Sequence, residues 1–262
     1  MHKVSLAIPT YYSSQYLSII IKTAIKSQII DEIVITEDSN SDKEFRKVEK
    51  IVRKYQGKTR TLDINLIKNK ENLGAYNNKF KAIISCKNEI VYQIDSDNIL
   101  KKNIDIVLNK INSEFNKEYI YYPSTLKQFF YNYQYYFYRD KNIVRLSDHD
   151  KLIDSSIVAD SIINDNQITL DKNIFWILNC GNFIVSKTEF ENTMKEYCNN
   201  DNVPLAADAL AISYLWLKSG KNILLKENLY HYHRKRNTSV SLTLTEESRE
   251  SFSFFREKFK SL

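Results

Sequence analysis

Residues 89–97 read EIVYQIDSD, and this stretch decides the fold class. The segment from Glu89 to Ile94 predicts a buried strand, and two aspartates follow at the point where the strand ends. Earlier stretches predict strands of the same kind at 4–8, 32–36 and 62–67. Between them, apolar residues recur with helical spacing within 17–25, 45–55 and 76–84. This alternation predicts an α/β fold with a mainly parallel, Rossmann-like sheet flanked by helices.

Composition limits the class of protein. The chain has 262 residues, 43% hydrophobic and 27% charged, which is enough apolar material for a large core. The formal net charge of +6 is a mild basic excess without the Lys/Arg blocks of a nucleic-acid-binding arm, so we expect no nucleic acid partner. We expect no signal peptide, because the first apolar run comprises only residues 4–8, and no membrane-spanning helix, because no apolar run approaches roughly 20 residues. Three scattered cysteines are typical of a reducing compartment, and we expect a cytoplasmic protein.

Polar, acidic or glycine residues follow each predicted strand. In an open α/β sheet, ligands bind outside the carboxyl ends of the strands, where such residues meet. Each triplet alone is typical of a loop or a helix cap, but together they favour a binding site. In chain order they are Pro9-Thr10-Tyr11, Glu37-Asp38-Ser39, Asn72-Leu73-Gly74 and Asp95-Ser96-Asp97.

The carboxylates of Asp95 and Asp97 are separated by one residue. Hard oxygen donors of this kind suit Mg²⁺ or Mn²⁺, which keep open positions for phosphate oxygens. A second triplet, Asp148-His149-Asp150, has no strand pattern in front of it, and we interpret it as a solvated loop.

The order and spacing of these motifs resemble the A-type glycosyltransferases of glycosyltransferase family 2. The matching segments are a strand followed by Pro and polar residues at 4–12, an acidic turn at 37–42, Asn72 and Gly74 with Lys79, and the Asp-x-Asp at 95–97. The resemblance implies one glycosyltransferase domain over 1–262. Within it we expect a nucleotide-sugar-binding half (1–100), an acceptor-binding half (101–240) and a C-terminal helix (241–262).

The resemblance also implies roles for single residues. Asp38 would accept a hydrogen bond from the nucleotide base, and Lys79 would approach the base or the diphosphate. Asp95 would approach the ribose, and Asp97, with Asp95, would hold a Mn²⁺ or Mg²⁺ ion. The full nucleotide-binding set comprises Pro9, Thr10, Tyr11, Asp38, Asn72, Gly74, Lys79, Asp95 and Ser96.

Asp208 is a lone carboxylate at the start of an apolar helical pattern. It is either a first-turn charge favoured by the helix dipole or a functional acid. The family has a Glu-Asp pair at this place, and its Asp is the general base. The resemblance therefore implies that Asp208 is the general base, although Ala207 stands where the family has Glu.

Two further segments match the family's acceptor and metal sites. Trp176, Gly181 and Asn182 lie in a segment similar to its acceptor-side strand and turn. His231 and His233 lie two residues apart in a basic strand pattern, and some family members supply a metal-ligating histidine from the matching segment. A basic surface strand explains the histidines equally well, and of the two we favour His233 as the ligand.

Aromatic residues concentrate within 119–138 and at the C-terminus. The first group suits either sugar stacking or core packing, and we favour packing. At the C-terminus, Phe252, Phe255 and Phe259 form one face of a predicted helix with a basic flank. This face suits packing on the transferase core or on a second subunit of a homo-oligomer. The alternative is peripheral contact with an anionic membrane.

The expected function is metal-dependent, inverting transfer of a sugar from a nucleoside-diphosphate sugar, with UDP as the nucleotide. The acceptor is the hydroxyl of a glycan, a lipid-linked or a protein-linked molecule. One alternative is a sugar-phosphate nucleotidylyltransferase, but its Gly-rich loop after the first strand is missing, since no glycine precedes Gly57. The other is a non-catalytic carbohydrate-binding protein with a relic transferase fold.

Overall fold

The computed structural model describes residues 2–57, 62–130, 142–163, 177–197, 207–235 and 245–262. In chain order, its elements are β1 (Val4–Thr10), α1 (Ser14–Ala24), β2 (Ile30–Glu37), α2 (Asp42–Gln56), β3 (Asp63–Lys68), α3 (Gly74–Ile84), β4 (Ile90–Gln93), α4 (Ile104–Ser113), β5 (Tyr119–Phe130), β6 (Asn142–Arg145), β7 (Lys151–Ile153), α5 (Ser155–Ile163), β8 (Phe183–Ser186), α6 (Lys187–Met194), a 3₁₀ turn (Lys195–Tyr197), α7 (Asp208–Lys218), β9 (Asn222–Lys235) and α8 (Thr245–Lys260).

The chain divides into two compact units. The first comprises Met1–Lys117 with Asn182–Glu191, and the second comprises Glu118–Gly181 with Asn192–Leu262. The single domain expected over 1–262, with halves at 1–100 and 101–240, stays a prediction.

The first unit contains a mainly parallel sheet, as the sequence predicts. Its strand order is β3-β2-β1-β4-β8, in which β1 to β4 are parallel and β8 runs antiparallel to β4. Every residue of β1 and β4 is buried, which explains their continuous apolar pattern, because a parallel sheet is covered on both faces. β1 extends to Thr10, beyond the predicted Ile8, so the first polar residues belong to the strand itself.

Helix α2 shows why the local pattern is reliable in this unit. The Ser41 side chain accepts a hydrogen bond from the backbone N–H of Glu44, which caps the helix. Val48, Val52 and Tyr55 are buried on one face, while the intervening charged residues face solvent.

The second unit is built on the parallel pair β5 and β9, with β7 antiparallel to β9 and β6 antiparallel to β5. Helix α7 is buried at every position from Ala209 to Leu217, as expected for a helix covered on all sides. Tyr121 and Tyr122 of β5 are buried, which confirms core packing for this part of the aromatic stretch. Residues 131–138 of that stretch lie outside the described residues.

The C-terminal helix predicted at 241–262 is present as α8. Phe255 and Phe259 are buried, and their ring centroids lie 6.1 and 5.6 Å from that of Tyr214 on α7. The packing interpretation is confirmed for these two side chains. Membrane contact or homo-oligomer formation through the helix stays a prediction. In the described part of the chain, no helix has the length and apolar character needed to span a membrane.

Phe259→Ala is expected to lower the free energy of unfolding by about 3 kcal/mol, because the substitution leaves a cavity in the second unit. Phe254→Ala is the matched control, since Phe254 is 44% exposed whereas Phe259 is 0% exposed on the same helix. Urea unfolding of both variants measures the difference. Equal destabilisation by the two substitutions would contradict the packing described here.

Candidate active site

The carboxylate of Asp38 lies directly after β2 and caps helix α3. Its Oδ1 accepts hydrogen bonds from Asn69 Nδ2 and from the backbone N–H of Leu73, both at 2.8 Å. Its Oδ2 accepts one from the backbone N–H of Gly74 at 3.1 Å. A negative charge at a helix N-terminus is favourable, so Asp38 fixes the loop that carries Asn72 and Gly74.

Burial raises the pKa of the Asp38 carboxyl, and the hydrogen bonds from Leu73, Asn69 and Gly74 partly offset this effect. Because the pKa of Asp38 is higher in the folded state than in the unfolded state, the protonated carboxyl favours folding. The stability that this protonation contributes is fully present below the unfolded-state pKa and is lost as the pH rises through the folded-state pKa. Asp38 is only 2% exposed. Its contact with a nucleotide base stays a prediction.

Gly74 begins α3 with φ +77°, a left-handed conformation that favours glycine. Its backbone N–H also donates to Asn72 Oδ1 at 2.8 Å, which tightens the turn. A Cβ at this position would meet no atom within 4 Å, so the requirement for glycine is conformational rather than steric.

Gly74→Ala is therefore expected to destabilise the protein by about 1–2 kcal/mol, the cost of a left-handed L-residue. Gly57→Ala is the control, because Gly57 has φ −72° and its added Cβ would also meet nothing within 4 Å. Urea unfolding should separate the two variants. A loss of stability for Gly57→Ala as large as that for Gly74→Ala would exclude the conformational explanation.

Asn78 links the ends of β1, β2 and β3 from its buried position on α3. Its Nδ2 lies 3.4 Å from the carbonyl oxygens of Thr10 and Thr36, and its Oδ1 accepts from Asn69 Nδ2 at 3.1 Å. Neither Asn69 nor Asn78 is among the residues predicted from the sequence. A polar residue on the buried face of α3 is the signal that could have found Asn78.

Lys79 and Asp95 form an ion pair next to the end of β4. Lys79 Nζ lies 3.0 Å from Asp95 Oδ1, and the lysine side chain is largely buried. Gln93 Nε2 donates to the same carboxylate oxygen at 3.1 Å. Lys79 thus places a largely buried positive charge beside Asp95, and its contact with a nucleotide stays a prediction.

The Asp95-Ser96-Asp97 turn is anchored from two sides within the first unit. Ser96 Oγ and Ser13 Oγ are hydrogen-bonded at 2.6 Å. Asn182 Oδ1 accepts from the backbone N–H of Asp95 at 3.0 Å and from Asn98 Nδ2 at 2.9 Å. Asn182 is fully buried, so the described contacts make it a support of the acidic turn. Its predicted acceptor-binding role is not tested by these contacts.

The residues of this turn fit a cation that is bound through few protein ligands. Carboxylate oxygens of Asp95 and Asp97 are the donors that Mg²⁺ and Mn²⁺ prefer, and such ions keep water and phosphate oxygens as further ligands. Across the described ranges, no three His, Cys, Asp or Glu side chains are grouped to hold a metal ion. Asp95 and Asp97 are therefore the carboxylates of this turn that could ligate such an ion.

His231 and Cys180 are paired inside the second unit. Cys180 Sγ lies 3.1 Å from His231 Nδ1, and both residues are buried. Gly181 is buried beside Cys180. His233 lies on β9, but its side chain is outside the described residues, as is Trp176. Metal binding by either histidine stays a prediction.

Asp208 is the first residue of α7 and is half-buried. This position agrees with the helix-dipole interpretation, and the role of Asp208 as general base stays a prediction.

The Asp148-His149-Asp150 triplet is exposed and lies in a loop, as predicted. Asp150 Oδ2 also accepts a hydrogen bond from Lys226 Nζ at 2.7 Å, and its Oδ1 accepts one from the backbone N–H of Glu227 at 2.8 Å. Lys226 is buried, so this loop aspartate also neutralises a buried charge.

Comparison with known proteins gives the class. Residues 5–160 match the model of the family described as glycosyl transferase family 2. This match covers more than half of the chain, so the chain belongs to glycosyl transferase family 2, as its motifs predict.

Solved structures show the same fold. The crystal structure of S. aureus TarS 1–349 in complex with UDP-GlcNAc has a TM-score of 0.64 and 16% identity, over 98% of this chain and 66% of that chain. The complex with UDP has a TM-score of 0.62 and 15% identity, over 98% of this chain and 65% of that chain. This likeness confirms the expected A-type glycosyltransferase fold.

One curated relative shares a shorter segment. The alpha-1,2-mannosyltransferase MNN2 of Candida albicans is 35% identical over 77 residues, which are 28% of this chain and 13% of that protein. The chain thus spans only part of the length of this relative.

Proposed function

We propose that the protein is a glycosyltransferase that moves a sugar from a UDP-sugar to a hydroxyl group of an acceptor. The observation that carries the proposal is the edge of the first unit where β1, β2 and β4 end. At this edge, Asp38 accepts a hydrogen bond from the first residue of α3, and Lys79 forms an ion pair with Asp95. Ser96 of the acidic turn is hydrogen-bonded to Ser13. The TarS complexes with UDP and UDP-GlcNAc support a uridine nucleotide donor.

Charge balance supports a diphosphate at this edge. Two carboxylates, Asp95 and Asp97, would repel a diphosphate on their own, and Lys79 supplies one buried positive charge beside them. A Mn²⁺ or Mg²⁺ ion on Asp97 and Asp95 would neutralise the charge that develops on the diphosphate when the ion is bound. His231 or His233 as a further ligand belongs to the same proposal.

The chemistry needs a base on the acceptor side. Asp208 takes the proton from the acceptor hydroxyl while the oxygen of that hydroxyl attacks the anomeric carbon of the donor sugar. The bond from that carbon to the diphosphate oxygen breaks, and the nucleoside diphosphate leaves with the electron pair. Such a single displacement inverts the anomeric configuration.

The acceptor is proposed to be a glycan, a lipid-linked or a protein-linked molecule. Trp176, Gly181 and Asn182 remain the residues proposed to contact it. A cytoplasmic location, with or without peripheral membrane contact through α8, remains a prediction too. Family membership favours this reading over a nucleotidylyltransferase, and turnover distinguishes it from a non-catalytic carbohydrate-binding protein.

A donor and acceptor panel tests the proposal. Among nucleoside diphosphates tested with Mn²⁺, UDP should raise the melting temperature most. One of a set of UDP-sugars, tested with glycan and lipid-linked acceptors, should then give sugar transfer. Formation of a nucleotide sugar from a sugar phosphate and a nucleoside triphosphate, with release of pyrophosphate, would instead identify a nucleotidylyltransferase. Nucleotide-independent sugar binding without turnover would identify the carbohydrate-binding alternative.

A further inference from the structure

Tyr12 adopts a left-handed backbone conformation, with φ +46°. The other described non-glycine residues with positive φ are Asn40 and Asn228, and asparagine tolerates this region because its short side chain can bond locally. A tyrosine has no such compensation, so its conformation is strained. Strain of this kind persists only where the surrounding structure enforces it, and it concentrates at functional sites.

The surroundings of Tyr12 do enforce it. On one side, the carbonyl oxygen of Thr10 accepts a hydrogen bond from the backbone N–H of Asp38 at 3.0 Å. On the other side, Ser13 Oγ is bonded to Ser96 Oγ of the acidic turn. Both anchors are buried, so the chain must cross between them through only two residues, Tyr11 and Tyr12.

The two tyrosine rings are exposed, at 47% for Tyr11 and 51% for Tyr12. Their centroids lie 4.9 Å apart with an interplanar angle of 85°, an edge-to-face pair. Edge-to-face contact is a favourable aromatic geometry, and it prevents either ring from lying flat on the other. The strained turn at Tyr12 therefore brings its ring against Tyr11 at the edge where the nucleotide is proposed to bind.

We propose that Tyr12 is a positioning residue that holds the Tyr11 ring in the orientation needed to stack on the nucleobase of the donor. The inference rests on the proposed function, because it needs a flat nucleobase as the ligand. If the Tyr11 ring is already fixed in the free protein, binding costs less side-chain entropy. In this way a residue that does not touch the ligand strengthens binding. The strained backbone at Tyr12 lowers the free energy of unfolding, and this loss of stability accompanies the fixed orientation of the ring.

Calorimetry with UDP at saturating Mn²⁺, together with thermal melting, tests the proposal on five variants. Tyr12→Asn removes the ring and relieves the strain, so its melting temperature should rise by about 2–4 °C. Its affinity for UDP should nevertheless fall about 3- to 10-fold. Tyr12→Phe keeps the ring and should bind UDP like the wild type. Asn228→Gly relaxes a left-handed residue of the second unit and should leave UDP affinity unchanged.

A double-mutant cycle shows whether Tyr12 acts through Tyr11. In a Tyr11→Ala background, Tyr12→Asn should cause no further loss of affinity, because the ring to be positioned is gone. Additive losses would mean that Tyr12 contacts the ligand itself and would overturn the proposal. So would wild-type affinity in Tyr12→Asn, or a melting temperature that falls together with the affinity, as a merely structural role requires. A wild-type protein that binds no UDP would defeat the proposed function as well as this inference.

Discussion

Asp97→Ala is expected to weaken UDP binding by roughly 10²-fold or more, the scale for truncating one partner of a buried charge interaction. Asp97 lies in the acidic turn after β4 and is only 7% exposed, so water cannot easily replace its carboxylate. Without this carboxylate the divalent cation loses its proposed protein ligand, and the diphosphate charge remains unbalanced. Calorimetry with UDP at fixed Mn²⁺ measures the loss.

The chain offers a matched control for this variant. Asp148→Ala changes the first aspartate of the other Asp-x-Asp triplet, which is exposed and pairs with Arg145 at 2.7 Å. This variant should bind UDP normally, because exposed ion pairs of this kind contribute little. Removal of the cation by chelation should weaken UDP binding of the wild type as strongly as Asp97→Ala does. Equal UDP affinity with and without Mn²⁺ would show that no cation takes part.

The first unit was largely predictable because its signals are local. The buried run from Val4 and the apolar stripe with Val48 and Val52 each depend on residues close in sequence. Alternation of strands and helices then limits the sheet to a parallel order, and the carboxyl ends of the strands meet at one edge. That is why Asp38 and Asp95 could be predicted to lie at one edge of the sheet, whereas Lys79 on α3 was assigned to the site only through the resemblance to the family.

The residues that support the site could not be predicted in this way. Strand β8 pairs with β4 from a position about 90 residues later, as in the pair Gln93 and Phe183, and no local pattern marks such a pairing. Asn182 follows a glycine and resembles a plain turn residue, yet its amide holds the acidic turn. Asp38 is typical of a loop or a local helix cap, whereas the folded chain uses it to cap α3, which begins 36 residues later. In each case the signal arises only when distant segments meet.

Asp208→Asn is expected to reduce sugar transfer by about 10²- to 10⁴-fold, the usual contribution of a general base. Asparagine keeps the shape of the side chain but cannot take the acceptor proton, so UDP affinity should stay close to that of the wild type. Stability should change by no more than about 1 kcal/mol, because a first-turn charge contributes little to a helix. The effect on catalysis is measured as turnover with the acceptor found in the panel. Calorimetry with UDP measures the effect on donor affinity, and urea unfolding measures the effect on stability.

The competing interpretation treats Asp208 only as a favourable charge at the N-terminus of α7. It predicts a small loss of stability with normal turnover, the result expected for the control Glu246→Gln, since Glu246 is an exposed acid near the start of α8. Near-normal turnover of Asp208→Asn would therefore leave the helix-dipole role and remove the catalytic one. A loss of turnover that is rescued by Asp208→Glu, with unchanged UDP affinity, would require a carboxylate at this place for the proton transfer itself.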